Sequence, residues 1–454
     1  MGSNSSIRKQ AVWLLAGTVL AAVLQLAQLG IVARNFDAKQ LGVLAIVNAV
    51  LMVAMVLQDM GMSSYLIHRQ GLEKKEQSTI FWVNVFFGLA TGVLIVILAY
   101  PLSWFYKLND LSYLLFLVSA NFFILGAMSQ YQANFVKVKK LVLLAKIEML
   151  AKVISFLTTI FLILVMHFTI AAVVIGQFLN ALFRLVFMLL FSEKCWHPSL
   201  QFCRKTFKAA VKYGSYQLGS QTINQLRTQA DALIIGKYLG PDFLGVYSLA
   251  KELILQPLKL LTPVINRLTL PRFAEKQHSE IELRSLFIRS ISLIVNVSAF
   301  VYLLIGLSAY IGVRLLYGTG HEVVATLIPY MLLLGVLRPM GGLTGAISQA
   351  NGTTKKEFIW NLWASLIVVV VVCLSLVGKN IAFVAMSLSV AQVAMSIAVY
   401  PLFIKPVVGV SFKEYLFSWI YTAAFCFVAI IAMDYFDLGM VIYSGFTSLF
   451  GWKS

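Results

Sequence analysis

Apolar runs of 18 or more residues follow one another from one end of this 454-residue chain to the other. As a helix, a run of that length crosses most of the ~30 Å hydrocarbon core of a bilayer. In hydrocarbon every backbone N–H and C=O must be satisfied internally, which leaves only helices and closed barrels as spanning structures. A barrel needs short alternating segments, and the sequence has none. The fold class is therefore all-α and polytopic.

Segments are expected at 9–34, 40–66, 78–105, 111–136, 141–166, 168–191, 209–237, 241–269, 284–316, 322–350, 357–378, 380–404 and 413–433, with a short last one near 437–452. That makes about 14 helices. The last is below the ~20 residues a perpendicular span requires. The first run continues past a signal-peptide core and lacks a small-residue cleavage site, so no cleavable leader is expected.

Only 12% of residues are charged, yet the net charge is +18. Such an excess raises nucleic acid as a partner, and its distribution decides the matter. The N-terminus and the even-to-odd loops carry 24 Lys and Arg, the opposite loops six (Arg34, Lys39, Lys107, Lys237, Arg314, Lys379). The positive-inside rule then places the N-terminus in the cytoplasm and accounts for most of the basic excess. No nucleic-acid partner is expected. Cys195, Cys203, Cys373 and Cys426 and the five histidines show no metal-ligand spacing, and there is no Walker sequence, so no cofactor is expected.

The chain also repeats itself. Ile31, Val32, Ala33 and Arg34, followed by Leu41, Gly42 and Val43, return 203 residues later as Ile234, Ile235, Gly236 and Lys237, then Leu244, Gly245 and Val246. Gln132, Ala133 and Asn134 return as Gln349, Ala350 and Asn351, each followed by a lysine pair. The first echo falls where segment 1 meets 2 and where 7 meets 8, the second at the 4–5 and 10–11 junctions. Six segments separate the copies, an even number, so the halves are expected as parallel repeats, a plan typical of secondary transporters. The expected domains are an N-lobe at 1–191, a cytoplasmic linker at 192–208, a C-lobe at 209–404, and extra helices at 405–454.

The paired Leu-Gly-Val turns resemble the polysaccharide-exporter branch of the multidrug/oligosaccharidyl-lipid/polysaccharide flippase superfamily. So do the run Leu244 to Ala250, the stretches Pro263 to Arg267 and Pro271 to Ala274, and the stretch Lys405 to Gly409. The resemblance covers nearly the whole chain and is nearest to Wzx-like lipopolysaccharide and colanic-acid exporters. It implies a V-shaped pair of six-helix lobes. It also implies alternating access that moves an undecaprenyl-pyrophosphate-linked oligosaccharide from the cytoplasmic to the periplasmic leaflet of the inner membrane.

Ten ionisable residues fall inside the segments: Lys152, Arg184, Arg227, Lys251, Lys259, Arg338, Asp59, Glu148, Asp231 and Glu252. Each costs about 2.5–3.5 kcal/mol at a helix centre, so they are expected to line a lumen or pair. In segment 7, Gln217, Gln221, Asn224, Thr228 and Asp231 step by four and three into one polar stripe, with Arg227 beside it. The stripe reads either as the wall of a sugar-accepting cavity or as hydrogen-bonding glue between helices. Arg227 and Asp231, and likewise Glu148 and Lys152, have the spacing of local ion pairs. Gln28 aligns with Asp231 at the repeat offset, and Arg184 shares a face with Gln177 and Asn180.

The expected substrate-binding set is Arg227, Lys251, Arg338, Gln221, Asn224, Asp231, Arg184 and Gln28. The cations serve a pyrophosphate and the amides serve hydroxyls. Asp59, Asp231 and Glu252 are the candidates for exchanging a proton or sodium ion, the expected drive. A polysaccharide polymerase and a chain-length regulator are candidate partners alongside the lipid-linked oligosaccharide and the bilayer. A cation-coupled multidrug exporter, a lipid II flippase and a membrane polysaccharide polymerase are the alternatives. An excess of buried basic over acidic residues disfavours the first of these, and short outer loops disfavour the last.

Overall fold

The computed structural model describes residues 2–60, 62, 66, 72–138, 140–192, 198–276, 279–351, 354–436 and 438–450. Arg69, Lys139, Lys194, Lys453, Cys195, His68, His197 and His278 lie outside them, as do the side chains of Arg8, Lys9, Gln217, Arg267 and Lys355. The described residues are helical, with short turns between.

Segments 1 to 8 are α1 (Gly2–Asn35), α2 (Ala38–Asp59), α3 (Lys74–Tyr106), α4 (Asn109–Lys137), α5 (Leu141–Leu164), α6 (Ala171–Phe191), α7 (Arg204–Tyr238) and α8 (Pro241–Lys276). Segment 9 is broken at Ser308 into α9 (Glu280–Leu307) and α10 (Ala309–Tyr317). Segment 10 is broken after Arg338 into α11 (Glu322–Leu337) and α12 (Met340–Ala350). Then come α13 (Thr354–Ser375) and α14 (Ile381–Val408), the latter with a π turn at Tyr400–Ile404. The chain continues through α15 (Phe412–Phe417), α16 (Ile420–Tyr435) and α17 (Leu438–Phe450).

Among the described residues, eleven helices are long and apolar enough to cross a membrane. At 35 and 36 residues α7 and α8 are also long enough, but their polar stripes keep them outside that set. With 13 residues, α17 extends only ~20 Å at 1.5 Å per residue.

Both copies of the first echo are helix-to-helix turns. Between α1 and α2, Asp37 caps α2 with its carboxylate on the Gln40 N–H, and Gln40 accepts the Asp37 N–H in return. Between α7 and α8, Gly240 takes a left-handed φ of 96° and Pro241 opens the next helix. There the missing proline N–H costs nothing. The second echo falls at the end of α4 and the end of α12.

The chain separates into two compact units, Met1–Gln229 and Ala230–Ser454. That division lies inside α7, not in the 192–208 linker. Residues 198–206 instead bind along the start of α3. Trp82 donates to the Ser199 carbonyl (2.9 Å), Ser199 donates its backbone N–H to the Ser78 hydroxyl (3.0 Å), and the Cys203 N–H reaches Thr79 (2.8 Å). Thr206, on the first turn of α7, donates to Glu76 (2.9 Å).

Lipid tails are as apolar as leucine, so close approach and polar bonds, more than burial, hold membrane helices together. In the first unit α3 and α4 form a tight hairpin. A Cβ on Gly88 would lie 2.5 Å from the Phe122 carbonyl, and one on Gly126 2.7 Å from that of Asn84. Trp82, Phe86, Ile97, Tyr100 and Trp104 are exposed along α3. From Trp82 to Trp104 the helix rises ~33 Å, about the hydrocarbon thickness between aromatic belts. In the second unit α11 is the core helix. Its residues from Met331 to Leu337 are all buried, against α8, α9, α14 and α16. The helices outside the repeat belong to this unit: Met433 of α16 packs on Gly306 of α9, and Arg314 of α10 lies over the Tyr443 ring of α17 at 5.2 Å.

Candidate functional site

The second unit holds a buried charge cluster built from α7, α8 and α11. Asp231 lies on the last turns of α7 and is 6% exposed. Lys251, on α8, donates to both of its carboxylate oxygens, at 2.8 and 2.7 Å. One turn earlier on α8, Tyr247 donates its hydroxyl to Asp231 Oδ2 at 2.5 Å, and the Ala232 N–H reaches Oδ1 at 2.8 Å. The Lys251 ammonium also stands 5.9 Å from the Tyr247 ring centroid. A carboxylate offers about four acceptor sites, and four donor contacts fill them here.

The turn of α8 that carries Lys251 is braced on both sides. Tyr302 of α9 donates to the Ile254 carbonyl (2.7 Å), and Tyr317 of α10 donates to the Leu249 carbonyl (3.2 Å). Tyr247, Tyr302 and Tyr317 are fully buried. Gly335 on α11 makes room for the Tyr302 ring, since a Cβ there would lie 2.4 Å from it. A buried phenol needs a hydrogen-bond partner, and these three spend theirs on fixing the cluster.

Arg338 closes α11. Its charge acts on Tyr247 and Tyr302, and among the described residues no carboxylate pairs with it. Pro339 follows and cannot donate to the Gly335 carbonyl. The Gly341 and Gly342 N–H groups turn back to the carbonyls of Arg338 and Pro339, at 3.1 and 3.0 Å. Arg338 thus ends a helix that packs against α8, the helix that carries Tyr247 and Lys251. Farther along α8, Glu252 accepts from Gln256 (2.8 Å) and pairs with Lys259, on the single face their spacing predicts.

The remaining expected residues lie in the first unit. Arg227 donates to Asn224 at 2.7 Å along α7, and Gln221 is exposed on the same helix. Arg184 on α6 pairs with Glu148 on α5 at 2.7 Å, and Gln177 bonds Asn48 on α2 at 3.0 Å. The α6 polar face therefore ties three helices together. Gln28 on α1 and Asp59 at the end of α2 are half-buried. The structure thus brings together Asp231, Lys251 and Arg338 from the expected set. The spacing had offered Arg227 as a neighbour for Asp231; the partner in the structure is twenty positions away, on the next helix.

Sequence reasoning missed Tyr247, Tyr302 and Tyr317. Tyr247 alone carried a signal, one turn before a lysine in an apolar run. At the linker, the Thr206 hydroxyl shares its one proton between Glu76 and Cys203 Sγ, 3.3 Å away, and holds that thiol below its ordinary pKa range. Among the described residues no group of three or more His, Cys, Asp or Glu is placed to hold a metal.

Residues 31–326 match the family model described as polysaccharide biosynthesis protein. The chain is 55% identical over 372 residues to amylovoran biosynthesis protein AmsL of Erwinia amylovora, covering 82% of this chain and 96% of the relative. It is 25% identical to lipopolysaccharide biosynthesis protein WzxC of Escherichia coli (strain K12), covering 89% and 82%. Among solved structures, lipid II flippase MurJ in an inward closed conformation superposes with a TM-score of 0.75 at 15% identity, covering 97% of this chain and 98% of that one. That likeness speaks for the fold.

Proposed function

This chain belongs to the polysaccharide biosynthesis protein family, and on that premise we propose that it flips lipid-linked oligosaccharide repeat units across the membrane by alternating access. The chain is a transporter, and its fold is that of the superfamily to which MurJ belongs. The observation that carries the substrate's chemistry is Arg338, a guanidinium within a membrane helix region that pairs with no carboxylate among the described residues, at the end of α11, which packs against the helix carrying Lys251. A bare pyrophosphate cannot cross hydrocarbon. A planar guanidinium that binds phosphate bidentately, with an ammonium at hand, supplies the counter-charge.

In this reading the N-terminus is cytoplasmic, as the 24-to-6 loop asymmetry supports, and the membrane is the bacterial inner membrane. The product of flipping is the natural substrate of a polysaccharide polymerase on the outer leaflet. A proton or sodium gradient is the proposed drive; Asp59, Asp231 and Glu252 remain its candidate carriers. Gln221, Asn224, Arg227, Arg184 and Gln28 are the proposed contacts for sugar hydroxyls and acidic groups.

The test is mass spectrometry of undecaprenyl-pyrophosphate intermediates in a deletion strain. Repeat units should accumulate and return to normal on complementation. An unchanged lipid pool together with drug hypersensitivity would replace this reading with multidrug export.

A further inference from the structure

We propose that Asp231 is an internal competitor of the anionic headgroup, holding the Lys251 ammonium in the unloaded protein and reclaiming it to expel the phosphate. The proposal rests on the flippase reading and deepens it.

Lys251 is only 13% exposed at its side chain, and an ammonium so placed without a counter-ion would cost several kcal/mol. Asp231 meets that need with both oxygens. The carboxylate does not depend on the lysine alone, however. When the ammonium leaves, the Tyr247 hydroxyl and the Ala232 N–H still hold Asp231 in place. Departure of Lys251 therefore strips neither partner of every contact.

The frame also limits what moves. Tyr302 and Tyr317 fix the backbone of α8 on both sides of Lys251, at Ile254 and Leu249. The four-carbon stem can swing while the helix stays still. Arg338 ends α11, which packs against α8, so an anion drawn to its guanidinium arrives at the helix whose Lys251 ammonium stands 5.9 Å from the Tyr247 ring.

Binding then has two parts: Arg338 contributes outright, and Lys251 contributes only what exceeds its attraction to Asp231. The same competition weakens the loaded state, because Asp231 draws the ammonium back. A site of two unopposed cations would bind a pyrophosphate more tightly and release it slowly. Coupling between two ligands of one group is reciprocal, with typical factors of 5 to 150.

The experiment uses the full-length protein purified in detergent, with inorganic pyrophosphate as the probe and calorimetry as the readout. Asp231→Asn should bind at least ~10-fold tighter than the parent protein, and Lys251→Met should bind more weakly than the parent, because Asp231 is then left unanswered near the anion. Tyr247→Phe leaves the carboxylate hungrier for the ammonium and should weaken binding severalfold. A purely structural Asp231 would not raise affinity when removed. Equal or weaker binding by a folded Asp231→Asn protein overturns the proposal, as does an absence of binding in both. If Asp231→Asn does not fold, Tyr247→Phe decides, and unchanged or tighter binding there overturns it. The flippase reading fails by a different result, the unchanged lipid pool, which this assay does not touch.

Discussion

Lys251 on α8 holds both carboxylate oxygens of Asp231 on α7, so the only carboxylate of the cluster is fully engaged in this state. Asp231 is thus neither a free ion carrier nor a bare ligand here; its occupancy is linked to where Lys251 points. Two expected outcomes follow from this site and two from the packing of the first unit.

Removing one member of a buried pair leaves an uncompensated charge, at a cost of about 3–5 kcal/mol. Lys251→Met should therefore lower the unfolding temperature in detergent by several degrees, and the Asp231→Asn/Lys251→Met double variant should recover most of it. Export should stay impaired in the double variant. Equal melting temperatures for single and double variants would show that the two charges do not depend on each other.

Among the described residues Arg338 has no carboxylate partner to lose. Arg338→Ala should change thermal stability little and reduce export ~10-fold or more at equal membrane abundance. That follows from losing a charge-assisted contact worth about 1.5–3 kcal/mol. Arg338→Lys should retain part of the activity. Normal export by Arg338→Ala would remove the guanidinium from the transport path.

The α3–α4 hairpin should not tolerate a branched side chain at its crossing. Gly126→Val places atoms within 2.7 Å of the Asn84 carbonyl, and overpacking of this kind costs about 1–3 kcal/mol. A lowered melting temperature with unchanged pyrophosphate affinity is the expected outcome, because the charge cluster belongs to the other unit. Thermal unfolding monitored by size-exclusion chromatography measures the first and calorimetry the second.

Cys203 precedes α7, and its thiol is held below the ordinary range by the Thr206 hydroxyl. A lowered pKa means more thiolate at neutral pH, so alkylation should reach half its maximal rate below the ~8.5 of a free cysteine. Thr206→Val should move that midpoint up. With the proposed orientation, a membrane-impermeant maleimide should label Cys203 in inverted vesicles and not in intact spheroplasts.

The membrane segments were legible because hydropathy is a local property: each run either suits ~30 Å of hydrocarbon or does not. The observed α1 to α8 accordingly follow the expected ranges, and both echoes fall on helix junctions. Turn chemistry was legible for the same reason, with Asp37 and Pro241 acting on residues beside them. The break at Ser308 was not, since Gly306, two residues earlier, lies in an apolar run that reads as one continuous helix.

The candidate site was legible as a set of residues and illegible as an arrangement. Solvation cost alone singles out ten charges that must be answered inside the membrane, Asp231, Lys251 and Arg338 among them. Helical spacing shows only what lies within one turn, so it placed Arg227 near Asp231 and had no access to a partner on the next helix. The three tyrosines were hidden among 18 in an aromatic-rich chain. The amino-acid sequence by itself determined the all-helical membrane fold, the segment order and the charge asymmetry, all consequences of local composition. Tertiary structure alone decided that Lys251 answers Asp231, that Arg338 meets no carboxylate among the described residues, and that the two units divide within α7. Ion pairing in low dielectric depends on distance in space, and no spacing along the chain encodes it.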